Sequence, residues 1–201
     1  WHGLRLPASM DGTEMVQRLV QPGESFTYRF KLLDAGTFWY HPHANETVQL
    51  ERGLYGALIV RGDGEPVLDR EQVLVLDDMK LDRKGQIAKF GGFVQWHDGR
   101  EGNARLVNGK VEPTLTIAAG QIERWRMVNA SSARYIRLSI GGVPFRLLGT
   151  DGGLLEAPVT VEDVLLAPGD RADIAVGPFA EGQQIAVEAL RLMGVTEPRR
   201  H

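Results

Sequence analysis

Apolar and polar residues alternate along much of this chain, and the alternation has period two. Phe26, Tyr28 and Phe30 alternate with Ser25, Thr27 and Arg29. Trp125 and Met127 alternate with Arg124 and Arg126, and Ile174 and Val176 with Asp173 and Ala175. Such a pattern predicts strands with one buried face. Each of these strands follows an apolar segment and a tight turn ending in glycine: "LVQPGESFTYRF", "LTIAAGQIERWRM" and "LLAPGDRADIAV". Pro22-Gly23 and Pro168-Gly169 have the residue order of a type II turn. Asn108-Gly109 is a hairpin signal of the type I′ kind. Further strands are predicted over 56–60, 71–76, 135–140, 144–149 and 184–190. The stretch 44–54 reads as a short helix with Asn45 as its candidate cap. Many short strands between Pro/Gly turns indicate an all-β fold, a sandwich or Greek-key barrel.

The stretch "RGDGEPVLDR" (61–70) is polar, glycine-bearing and broken by Pro66. It predicts a boundary, with residues 1–62 before a 63–70 linker and 71–190 after it. The second unit, of roughly 120 residues, has the size of a complete small β-sandwich. The first has too few strands for an independent sandwich, which usually has about seven. Its opening strands are expected to be absent. The chain has no initiator methionine and starts on Trp1-His2-Gly3, which reads as the middle of something longer. The tail 191–201 reads as a linker.

Composition excludes several classes. The 201 residues are 43% hydrophobic and 24% charged, as suits a soluble protein with a core. A net charge of −3 invites neither nucleic acid nor an anionic membrane. No apolar run approaches the ~18 residues of a membrane span. There is no cysteine, which removes thiolate catalysis, zinc ribbons and cysteine-ligated copper.

Two of the five histidines stand in "GTFWYHPH". Thr37, Phe38, Trp39 and Tyr40 favour a strand. His41 and His43 then point to one face, roughly 7 Å apart along the chain. Pro42 places them at an edge or strand end. Paired imidazoles on a stiff backbone suit copper, zinc or iron. The alternative is two surface histidines.

The opening "WHGLRLP…DG", the strand "VQPGESFTYRF" and "GTFWYHPH" come in an order and spacing that resembles the multicopper oxidases. The stretch from "LVNGKVEPTLTIAAG" to "LLAPGDRADIAV" looks like the second cupredoxin domain of bacterial laccase-like members. The resemblance covers the chain from Trp1 to about Leu190. It implies a cupredoxin-like Greek-key fold, with one incomplete and one complete domain. It also implies copper: a type 1 site that takes electrons from a reducing substrate, and a type 2/type 3 trinuclear cluster that reduces dioxygen to water. His2 matches a type 3 ligand. His41 would join it on one copper, and His43 would bind the other. Asp11, nine residues after His2, matches an acidic residue that helps to deliver protons. Export, to the periplasm or beyond the cell, is expected from the family.

The departures matter as much. The family's third cupredoxin domain supplies the type 1 site and the remaining cluster ligands, and its motifs are not here. The chain alone is therefore expected to be inactive as a laccase. The reducing substrate, a phenol, an aromatic amine or a metal ion, would bind in that missing domain. A copper-free structural relative is the alternative, and the retained His41-Pro42-His43 argues against it. The missing cysteine argues against a small electron-transfer cupredoxin or a nitrite reductase. His97, in the loop-like "VQWHDGREGN", reads as an exposed residue, and Asp151 as a turn former. Asp11, in "MDGT", has the same turn reading beside its proton role.

Overall fold

The computed structural model describes residues 1–190, and at residues 94 and 98 the backbone alone. The tail 191–201, expected as a linker, and His201 lie outside the described residues. The fold is all-β. Strands β1 (Gly36–Tyr40) and β2 (Gly56–Val60) form an antiparallel pair in which Phe38 faces Leu58. The connection between them holds the short helix α1 (Glu46–Gln49) and a 3-10 turn (Leu50–Arg52). Asn45 does precede α1, but its side chain makes no capping bond. Its backbone is left-handed (φ 46°), whereas a side-chain cap needs the extended region.

The rest of the chain builds two larger sheets. In chain order come β3 (Arg70–Met79), α2 (Phe93–Asp98), β4 (Ala104–Val107), β5 (Lys110–Val111), β6 (Glu123–Asn129) and β7 (Ile136–Ile140). They are followed by β8 (Phe145–Thr150), β9 (Gly153–Val161), β10 (Asp163–Leu166), β11 (Arg171–Val176) and β12 (Val187–Leu190). One sheet has seven strands in the order β5-β4-β3-β6-β11-β8-β9, and the other three, β10-β7-β12. Among the described residues only β3 and β6 pair in parallel, which suits Greek-key connections rather than a meander. The Asn108-Gly109 turn has positive φ at both residues, as type I′ requires. The Asn108 side chain bonds Val75 N and Val73 O, which extends the ladder beside β3.

The main core lies between these sheets. Leu74, Leu76, Trp125, Met127 and Ile174 pack against Ile136, Leu138 and Ile140. The opposite face of the large sheet is also covered. There Val128 and Ala130 pack against Trp39 and Leu50 from the N-terminal part. All seven residues of β6 are buried as a result, Arg124 and Arg126 included.

Three sequence expectations change. Residues 25–30 form no strand, because among the described residues no strand pairs with them. The segment "VQWHDGREGN", read as a loop, contributes most of α2. The last strand starts at Val187, not at 184. No helix among the described residues is long and apolar enough to cross a membrane.

Candidate metal centre

β1 delivers the histidines. Its Thr37–Trp39 segment is buried, and the strand stops at Tyr40, where Pro42 cannot donate to a ladder. His41 and His43 follow directly, and their rings stack with centroids 5.2 Å apart. His2 arrives from the other side of the chain. Its backbone N donates to Trp39 O at 2.8 Å, an isolated bridge beside β1. The Trp39 ring backs both imidazoles, 5.0 Å from His2 and 4.4 Å from His41.

The two imidazoles meet nitrogen to nitrogen. His2 Nδ1 lies 3.3 Å from His41 Nε2. On its other side, His41 Nδ1 lies 3.1 Å from Pro42 O and 3.2 Å from a Glu46 carboxylate oxygen. Those acceptors hold the proton on Nδ1 and leave the Nε2 lone pair facing His2. Burial, then the Arg171 guanidinium and His41, push the His2 imidazole down to about 4. Burial also lowers His41, opposed by Pro42 O and Glu46. Both rings are thus neutral at pH 7, the form that a metal takes.

A donor set of this kind fits copper. Two nitrogens held about 2.0–2.1 Å from one tetrahedral ion are about 3.3 Å apart. The His2–His41 spacing therefore needs little change to bracket an ion. Copper favours imidazole ligands. His43 is exposed and offers its ring beside His41. Among the described residues, no three His, Cys, Asp or Glu side chains converge on one point, so the pair is an incomplete site.

Asp11 lies apart from the ring pair. It ends a 3-10 turn (Ala8–Met10), and its carboxylate sits 3.3 Å from the Trp1 backbone nitrogen. Its side chain is 46% exposed, so it stands between solvent and the residue preceding His2. His97 is exposed, on α2, with its ring 5.9 Å from that of Phe93. Asp151 sits in the β8–β9 turn, as expected, and also accepts from Arg171 N at 2.7 Å.

Sequence reasoning missed the residues behind the histidines. By strand register Asp173 lies beside Arg126, which lies beside Val73, all facing the N-terminal part. Asp173 accepts from Arg124 (2.6 Å), Arg126 (3.0 Å) and the Thr37 hydroxyl (2.5 Å). Glu65, from the 63–70 stretch expected as a linker, takes two bonds from Arg126 at 2.9 Å. Glu71 lies 2.9 Å from Arg126 and, hydrogen-bonded by Arg61 and Arg126, is held below the usual carboxylate range against its own desolvation. The signal available in sequence was arginine, rather than serine or threonine, at alternate positions of β6. Nothing local says that such a face will be covered.

The comparisons with known proteins agree with the architecture. Two family models described as "Multicopper oxidase" match residues 1–65 and 37–184. A Staphylococcus aureus protein, "Multicopper oxidase mco", is 31% identical over 88% of this chain and 40% of its own length. "Cell division protein FtsP" of Photorhabdus laumondii is 33% identical over 98% of the chain and 43% of its own. The solved multi-copper oxidase of Pseudomonas thermotolerans is 38% identical with a TM-score of 0.87, over 94% of this chain and 47% of that one. The chain thus spans about two fifths of the length of the curated relatives it matches. Its all-β architecture is cupredoxin-like, as in these structural neighbours.

Proposed function

The chain belongs to the multicopper oxidase family, and from that premise we propose that it forms part of a laccase-like oxidase in which His2, His41 and His43 hold copper. The observation that carries this is the 3.3 Å approach of His2 Nδ1 to His41 Nε2. In this reading His2 and His41 serve one type 3 copper and His43 the other, within a type 2/type 3 cluster. Copper bound there would supply one-electron redox chemistry, the kind that reduction of dioxygen to two waters by four electrons and four protons requires. The electron donor would be a phenol, an aromatic amine or a metal ion, and a third cupredoxin domain would contribute the type 1 site. Residues 1–62 form part of the first cupredoxin domain and 71–190 the second, joined by 63–70. The protein works in the periplasm or outside the cell.

The chain's own residues have separate tasks. Trp39 shields one side of the imidazoles. Glu46 and Pro42 O keep the His41 proton on Nδ1. Asp11 passes protons inward from solvent, which its exposure supports.

Copper titration of the purified 201-residue chain tests the assignment. One equivalent of Cu(II) should bind with imidazole hyperfine structure in its EPR spectrum, and His41→Ala should remove it. No intense blue band should appear, because that band needs a copper–thiolate bond and the chain has no cysteine. Unchanged copper binding in His2→Ala, His41→Ala and His43→Ala together would overturn the reading. A second reading is a structural protein without redox chemistry. The likeness to a cell division protein and the lack of a converging three-ligand group among the described residues favour it. The absence of any histidine-dependent copper binding would be its signature.

A further inference from the structure

The two segments that bring His2 and His41 together are held by a third, and it comes from the C-terminal part. Arg171 opens β11, and its side chain is 5% exposed. Its Nε donates to Thr37 O (3.1 Å), four residues before His41. Its Nη1 donates to Gly169 O (3.0 Å) and its Nη2 to Asp151 O (2.9 Å). Gly169 has φ +91°, and a Cβ there would stand 2.9 Å from the His2 ring. Gly3, next to His2, packs so closely that a Cβ on it would overlap Arg171 Nη2.

We propose that Arg171 is a positioning residue, which sets the spacing of the His2 and His41 rings before any metal arrives. The proposal rests on the ligand reading above. One guanidinium binds the backbone of the β1 segment and the backbone of the turn that presses on His2. Its planar fork offers several N–H groups in fixed directions, so it can tie three carbonyls at once. Lysine has a point charge on a flexible stem and cannot reproduce that geometry. Thr37 is fixed twice, by Arg171 at its carbonyl and by Asp173 at its hydroxyl. The tolerance that a ligand set needs is about 0.5 Å, so a shift of either segment is felt at the rings.

The test uses the isotope-labelled 201-residue chain without metal, and then with Cu(II). Wild type should show a nuclear Overhauser contact between the His2 and His41 ring protons. Arg171→Met should lose that contact and weaken Cu(II) binding at least about tenfold, with the amide signals of β7 and β12, in the other sheet, unmoved. Arg171→Lys, which keeps the buried charge, should recover part of both. Arg83→Met, at an exposed turn, should change neither. A retained ring contact and unaltered affinity in Arg171→Met would overturn the proposal. Should that variant fail to fold, wild-type values in both measurements for Arg171→Lys would overturn it equally. The ring contact is read without metal. A chain whose copper ignores these imidazoles therefore refutes the ligand reading alone, and the contact still decides the role of Arg171.

Discussion

The segments "VQPGESFTYRF" and "AAGQIERWRM" carry the same pattern, a turn and then alternating aromatic and polar residues, yet they end in opposite environments. The second becomes β6, paired on both sides and buried over its whole length. The first pairs with nothing among the described residues and leaves Phe26 38% exposed. Around it Met15, Leu32 and Leu33 are exposed too. Alternation therefore makes a segment competent to be a strand, and neighbouring strands decide whether it becomes one. Backbone N–H and C=O groups need partners, and a single extended segment has none of its own.

The largest expected effect breaks the buried side of this contrast. Asp173→Ala removes the carboxylate shared by Arg124, Arg126 and Thr37. Breaking one partner of a buried ion cluster costs about 3–5 kcal/mol. Chemical denaturation should report a loss of that size, and Trp125→Ala a similar one through its cavity, about 3–5 kcal/mol. Asp173→Asn should cost less, because the amide oxygen still accepts.

Acid titration sharpens the contrast, since Asp77 in one region and His2 in the other are shifted so that they act with opposite sign. In the C-terminal part, burial raises Asp77 to about 6 despite its bond from the Tyr55 hydroxyl. A raised carboxyl binds its proton more tightly when folded, so its contribution is lost as pH rises from about 4 to about 6. The loss amounts to about 2–3 kcal/mol. In the N-terminal part, His2 is lowered to about 4, so its contribution is lost as pH falls from about 6.5 towards 4. Asp77→Asn should become more stable relative to wild type between pH 4 and pH 7. A constant difference across that range would refute the Asp77 assignment.

A smaller effect is expected at the seam between the regions. Gly169→Ala places a methyl group against His2 on a left-handed backbone. Strain of about 1–2 kcal/mol should appear as a lowered Tm. The smallest effect belongs to the unpaired segment. Phe26→Ser or Leu33→Ser should change stability by no more than about 0.5 kcal/mol. Hydrogen exchange should find residues 24–32 open while β6 amides exchange only on global unfolding.

Much of this was legible in sequence. The turns at Pro22-Gly23 and Pro168-Gly169 have glycines at positive φ, and Asn108-Gly109 closes its hairpin as written. β2 spans the residues assigned to it, 56–60. These are local effects of rotamers, glycine and proline, which neighbouring residues determine. The His-x-His pair was also readable, because ligand type and spacing lie within three residues. What joins it was not. His2 meets His41 across 39 positions, and Arg171 reaches Thr37 across 134. The arginines of β6 looked like a solvent face and are instead fully desolvated between two parts of the chain. Period-two alternation says which residues share a face, but what covers that face depends on strands far away in sequence. Local pattern marks the turns, the segments able to be strands and the chemistry of the donors. Which of those segments pair, which donors face one another and which charges are buried behind them follow from long-range packing and not from local backbone preference.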